Sequence, residues 1–189
     1  DGKSQAIIVS CDLIGVELDF VVRVRQIAQA EGGLDPETVM IHCTHTHSGP
    51  SCANYHGWGE QDPPYMEVLP YRIARAAIAA VKDLRESTIM HAAVPCEGVA
   101  LNREYDKDAP PLSEVLNEEW RPAKPELTDT VCQVFRIERD GKVAGFFSHF
   151  GCHPVVCSQT TTHIHGDYAG VATSMLEREF VGSTGLFLQ

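Results

Sequence analysis

The sequence predicts an α/β fold, a mixed β-sheet or pair of sheets with flanking helices, and three observations carry that prediction. An apolar run at residues 6–11 is followed by a helical repeat and a second apolar run at 39–41, giving strand, helix, strand with a short return. A second amphipathic repeat fills residues 66–84. Residues 131–150 read as two strands around Asp140-Gly141, a hairpin dipeptide. A parallel pair beside an antiparallel hairpin calls for mixed sheet. The 189 residues are enough for one sizeable core, and 1–189 is read as a single domain.

Each element follows from local chemistry. The strand at 6–11 has Asp12 at its carboxyl end. Leu18, Val21, Val22 and Ala28 then recur at helical spacing, with Arg23, Arg25, Gln26 and Gln29 on a solvated face and Gly32-Gly33 as the stop. Asp35-Pro36-Glu37 turns the chain into a strand expected to run to His45. The loop at 51–64 carries Tyr55 and Trp58, which suit either a substrate mouth or a lid over the core. In the next helix Met66, Leu69, Ile73, Ala77 and Val81 share a face, and Pro70 is expected in or before the first turn. A strand at 89–96 precedes Gly98-Val99-Ala100-Leu101-Asn102-Arg103 and a polar excursion to about residue 129. Beyond the hairpin, Pro154 ends the ladder, and 160–165 form a polar loop with a second His-x-His, His163 and His165. Asp167 is a good N-cap for a helix to Phe180, with Val171, Met175 and Leu176 expected inward. Residues 185–189 begin another strand. Asp1-Gly2-Lys3 reads as the turn of a hairpin, and with the strand at 185–189 it suggests an interior piece of a longer polypeptide.

Composition removes several functions. A formal net charge of -11 argues against nucleic acid, whose phosphates need a basic face. No run of apolar residues is long enough to span a membrane. The seven cysteines form no Cys-x-x-Cys pair and mostly occupy apolar, strand-like context, where a thiol packs as a small hydrophobe. Cys43 and Cys152 adjoin candidate site histidines and are read as packing residues.

The chemistry concentrates in Ile41-His42-Cys43-Thr44-His45-Thr46-His47-Ser48-Gly49-Pro50. On a strand, side chains two apart point the same way, so His45 and His47 would share a face and His42 the other. Such a pair is half of a metal site, an acid/base pair, or two surface histidines beside a loop. His149 and His153 lie where a second strand ends, at the break made by Pro154. Arg103 suits an anion or a carbonyl oxygen, or else a solvated salt bridge.

Four segments in order carry a resemblance: Thr44-His45-Thr46-His47-Ser48-Gly49-Pro50, Ala100-Leu101-Asn102-Arg103, Phe150-Gly151-Cys152-His153-Pro154, and Gly166-Asp167-Tyr168-Ala169-Gly170. Together they resemble the N-terminal catalytic domain of the neutral/alkaline, non-lysosomal ceramidase family, across nearly the whole chain. The resemblance implies a zinc-dependent amide hydrolase acting on a lipid-like substrate, N-acylsphingosine, releasing a fatty acid and a sphingoid base. It implies zinc ligation by His45 and His153, with His47 and Arg103 near the scissile amide, Arg103 turned inward. Neutral imidazoles suit zinc, so binding should weaken in acid. The family's serine nucleophile and its remaining zinc ligands, a Glu and a Tyr, are expected beyond Gln189, so another segment must complete the site. Cys152 and the His163/His165 pair depart from the family pattern. They leave open a metallohydrolase of the same scaffold with another ester or amide substrate, or a non-catalytic metal-binding domain.

Overall fold

The computed structural model describes residues 4–104, 111–115, 117, 119–157 and 161–189. The expected turn at Asp1-Gly2-Lys3, parts of the polar excursion and Thr160 lie outside them. The chain falls into two compact units, Asp1–Ser87 with Pro154–Met175, and Thr88–His153 with Leu176–Gln189.

The first unit is built on a parallel pair, β1 (Ile7–Cys11) and β2 (Val39–Cys43), in register from Ile7 opposite Val39 to Cys11 opposite Cys43. Helix α1 (Leu18–Gly32) connects them. Its Phe20, Val24 and Ala28 recur every four residues and are buried, so one stripe faces the core. Gly33 ends the helix in the left-handed region (φ 67°); its N–H donates to the Gln29 carbonyl and the Leu34 N–H to the Ala28 carbonyl. Helix α2 (Pro63–Lys82) packs Ile73, Ala74, Ala77 and Ile78 into the same core. A Cβ on Gly32 would lie 2.4 Å from Ile78 Cγ1, so the two helices approach closely because that position has no side chain. Burying a Val, Ile or Phe here contributes about 1.5–3 kcal/mol each.

Two helix expectations are corrected. Pro70 lies inside α2 rather than in its first turn. The helix starts earlier, at Pro63, because Asp62 Oδ1 caps it by accepting from Tyr65 N at 2.9 Å. Arg25 is not fully solvated: its Nε donates to the Val39 carbonyl at 2.9 Å.

The second unit holds a four-stranded mixed sheet in the order β3 (Thr88–Pro95), β4 (Val131–Arg139), β5 (Lys142–His149), β6 (Thr184–Leu188). The first two pairings are antiparallel and β5–β6 is parallel. Asp140 (φ 50°) and Gly141 (φ 72°) make the tight hairpin turn, both with the positive φ that a right-twisted two-residue hairpin demands. Phe135 and Phe147 stack across β4 and β5 at 4.3 Å. The excursion contains a short helix, α3 (Leu112–Val115), and a 3-10 turn at Pro125–Leu127.

Helix α4 (Asp167–Glu179) differs from expectation. Val171 and Met175 are 59% and 63% exposed, and the buried residues are Asp167 and Ala169. A carboxylate, not an apolar stripe, anchors this helix: the Asp167 oxygens accept from the backbone N–H groups of Val156 and Cys157. No helix among the described residues is long and apolar enough to cross a membrane.

Candidate metal centre

β2 stops at Cys43, so His45 and His47 lie beyond the strand and not on it. The segment past Cys43 is a bonded extension rather than a free loop. Thr44 N donates to the Cys11 carbonyl at 2.9 Å and His45 N to the Leu13 carbonyl at 2.9 Å, which continues the pairing past the end of β1. Thr44 and Thr46 are buried, at 1% and 0% exposure. The Thr44 hydroxyl donates to Asp12 Oδ1 at 3.1 Å, and that of Thr46 to the His165 carbonyl at 3.0 Å. In Thr-His-Thr-His the threonines are therefore anchors, and the histidines between them are displayed. The expected shared face exists, but backbone anchoring produces it instead of strand pleating.

His45 takes φ 66°, the left-handed region that a residue with a Cβ rarely occupies, at a cost of order 1–2 kcal/mol. That turn brings its Nδ1 to 2.6 Å from the Ile14 carbonyl. A carbonyl only accepts, so Nδ1 carries the proton and Nε2 the lone pair. A backbone carbonyl holding the other ring nitrogen is how metal-binding histidines are usually oriented. His47 N donates to the Pro154 carbonyl at 3.3 Å. His153, the residue joined to Pro154, is half-buried. One ligand atom each of His45, His47 and His153 lies within 4.8 Å of the others. Tetrahedral zinc would ask for ~3.3 Å between nitrogens, and small rotamer adjustments cover the difference. Three neutral imidazoles, one with its tautomer set by Ile14, are a donor set that fits zinc. His42, His91, His149 and His163 belong to no such group among the described residues; His91, for one, stacks on Phe135 and bonds Gln133.

Arg103 is not turned inward. It is exposed in a turn after Leu101-Asn102, and the neighbouring side chain does the anchoring: Asn102 Nδ2 donates to the Leu127 carbonyl at 2.8 Å. Tyr55 and Trp58 do gather beside His47. The Trp58 and His47 rings meet edge-on at 4.8 Å, and Tyr55 and Trp58 are 5.9 Å apart. A cavity of about 80 Å³ lies among Ile14, Thr46, His47, Pro50, Tyr55 and Trp58. The Tyr55 hydroxyl lies where a Cβ of Gly15 would be, so a side chain there would displace the Tyr55 ring.

The residue that sequence reasoning underrated is Asp12. Besides accepting from Thr44, it lies against the backbone of the Gly166-Asp167-Tyr168-Ala169-Gly170 turn. A Cβ on Gly166 would fall 2.5 Å from Asp12 Oδ2, and one on Gly170 3.5 Å from it. Gly166 thus lets Asp12 reach the start of α4, whereas a Cβ on Gly170 would make only ordinary contact with it. The available signal was an aspartate at a strand's carboxyl end, where α/β folds tend to place sites. Nearby, burial pushes the Cys11 thiol up to about 12, and burial followed by Cys52 pushes Cys43 up to about 11. Thiols held neutral this way behave as packing residues, as expected for Cys43.

Fold and geometry together define an α/β protein with a histidine-rich candidate metal centre just past the carboxyl ends of a parallel strand pair. A family model described as neutral/alkaline non-lysosomal ceramidase, N-terminal, matches residues 1–186. The chain belongs to that family. Two solved structures share its fold. The crystal structure of neutral ceramidase from Pseudomonas aeruginosa is 21% identical with a TM-score of 0.76, over 95% of this chain and 29% of that one. A ceramidase complexed with C2 is 21% identical with a TM-score of 0.78, over 96% of this chain and 29% of that one. The chain therefore spans less than a third of either structure's length. No curated protein matches it.

Proposed function

We propose that this chain supplies the N-terminal part of a metal-dependent amidase of the ceramidase type, cleaving N-acylsphingosine to a fatty acid and a sphingoid base. The observation that carries the reading is the convergence of His45, His47 and His153, three residues of the family-like motifs, within 4.8 Å. His45 and His153 would hold zinc, the assignment the family resemblance suggests. Zinc, when bound, polarises the amide carbonyl and lowers the pKa of a bound water to ~7.

The chain's own residues then have distinct tasks. His45 is oriented by the Ile14 carbonyl, which leaves its Nε2 lone pair available to a metal without a tautomer change. His47, seated by the Pro154 carbonyl and the Trp58 ring, moves a proton at the scissile amide or completes the ligand set. Arg103 neutralises charge developing on the carbonyl oxygen. Tyr55 and Trp58 shield one side of His47, beside a cavity of about 80 Å³.

The test is hydrolysis of N-acylsphingosine by the complete gene product, before and after chelation and with zinc restored. Loss on chelation and recovery with zinc support the reading. Activity on other esters or amides but not on this amide would move the chain to a different substrate within the same scaffold. No bound transition metal and no hydrolysis would leave a structural domain.

A further inference from the structure

A second group of ligating atoms lies within the first unit and shares no residue with the three histidines above. Cys157, His165 and Asp167 each offer one atom within 4.8 Å of the others. Its most unusual member is Asp167, a carboxylate only 2% exposed. Its oxygens accept from Val156 N (3.3 Å), Cys157 N (3.3 Å) and Tyr168 N (2.7 Å). Among the described residues no lysine or arginine pairs with it. The amide donors hold this carboxylate in its charged form inside the fold, where a cation brought within reach would meet little competing solvent. Asp167 is also held at φ 55°, a conformation that the surrounding bonds must enforce.

We propose that Cys157, His165 and Asp167 form a second divalent transition-metal site, of the zinc class, which fastens the loop ending at α4. The donor set decides the class. A thiolate, an imidazole and a carboxylate suit zinc or cobalt(II) and not the hard cations calcium and magnesium. Charge balances as well: the Cys157 thiol releases its proton to solvent, and thiolate plus carboxylate neutralise one divalent ion. His165 Nδ1 accepts from Asp167 N at 3.0 Å, so that nitrogen is unprotonated and its lone pair faces the Asp167 backbone. An ion taking that lone pair displaces a neutral N–H, which only a strong Lewis acid does favourably. The loop is tied to the first centre's ligand segment. His165 N donates to the Ser48 carbonyl at 3.1 Å, and its own carbonyl accepts from Thr46. Metal at the second group thus stiffens the segment that displays His45 and His47.

Cobalt(II) alone tests this on the complete gene product, stripped by chelation. Only the second group contains a thiolate, so its occupancy gives a near-ultraviolet thiolate-to-cobalt charge-transfer band that the three histidines cannot produce. The expected result is that band in the unaltered protein, its loss in Cys157→Ser and in His165→Asn, and loss of one bound cobalt in each. His45→Ala should keep the band, so failure of the first centre and failure of this one are distinguishable. Circular dichroism confirms the fold, and Cys157→Ala serves if the serine variant does not fold. Absence of the band in the unaltered protein, or its persistence in both Cys157 and His165 variants, overturns the proposal.

Discussion

Two motif segments, residues 44–48 and 100–104, use the same device with different results. In each, residues without obvious chemistry fix the backbone: Thr44 and Thr46 in the first, buried Ala100 and the Asn102 amide in the second. In the first, the displayed side chain is also held, through the 2.6 Å bond from His45 to Ile14. In the second, Arg103 extends into solvent. A metal centre needs its donors fixed before the ion arrives, because ordering a loose side chain costs up to ~2 kcal/mol. A charge that stabilises a developing oxyanion can be recruited when substrate binds. The contrast therefore predicts a large, metal-linked penalty in the first segment and a smaller, turnover-only penalty in the second.

The sharpest break is His45→Ala in the complete gene product. Removing even a residue that orients a ligand costs ~10–100-fold, so removing the ligand should cut hydrolysis by more than ~100-fold and lower bound zinc in parallel. Metal content equal to the unaltered protein would end the assignment of His45.

Gly166→Ala comes next and acts through Asp12. The new methyl has no room against Oδ2 at 2.5 Å, and overpacking of this kind costs about 1–3 kcal/mol, read as a lower urea midpoint. A midpoint unchanged within error would show that Asp12 swings away without penalty, and that the threonine anchor does not depend on it.

Arg103→Ala should leave the urea midpoint and metal content alone and lower turnover by more than ~10-fold, about 1.4 kcal/mol of barrier. Equal turnover would make this exposed guanidinium an ordinary solvated charge. Trp58→Ala should be milder, raising KM by a few-fold, in line with ~0.5–1.5 kcal/mol for an aromatic contact, with kcat little changed. A kcat effect larger than the KM effect would recast Trp58 as positioning His47.

The smallest effect near neutrality concerns the half-buried thiols of Cys11 and Cys43. Burial first, then Cys43, lifts Cys11 from 9.0 to about 12. A raised folded-state value means that stability is complete below the unfolded value of 9.0 and is lost as pH rises towards 11–12. Urea midpoints should be flat from about pH 7 to about pH 8.5 and fall above, and Cys11→Ala should flatten that fall. A midpoint that is constant through about pH 11 would mean the thiols do not ionise on unfolding.

Much of this molecule was determined by local sequence. The parallel pair around α1, the Asp140-Gly141 hairpin and the α/β class follow from periodicity and turn chemistry, both properties of neighbouring residues. The ordered motifs likewise pointed to His45, His47 and His153. Tertiary structure decided the rest, because it depends on partners far apart in the chain. Pro70 lies within a helix since Asp62 caps it eight positions earlier. Val171 and Met175 are exposed since the Asp167 carboxylate binds amides of residues 156 and 157. Thr44 and Thr46 are anchors since Asp12 and His165 receive their hydroxyls across 32 and 119 positions. A pattern can show that a histidine is displayed. Which ring nitrogen keeps its lone pair depends on a carbonyl 31 positions away, Ile14's, which the fold alone brings to His45.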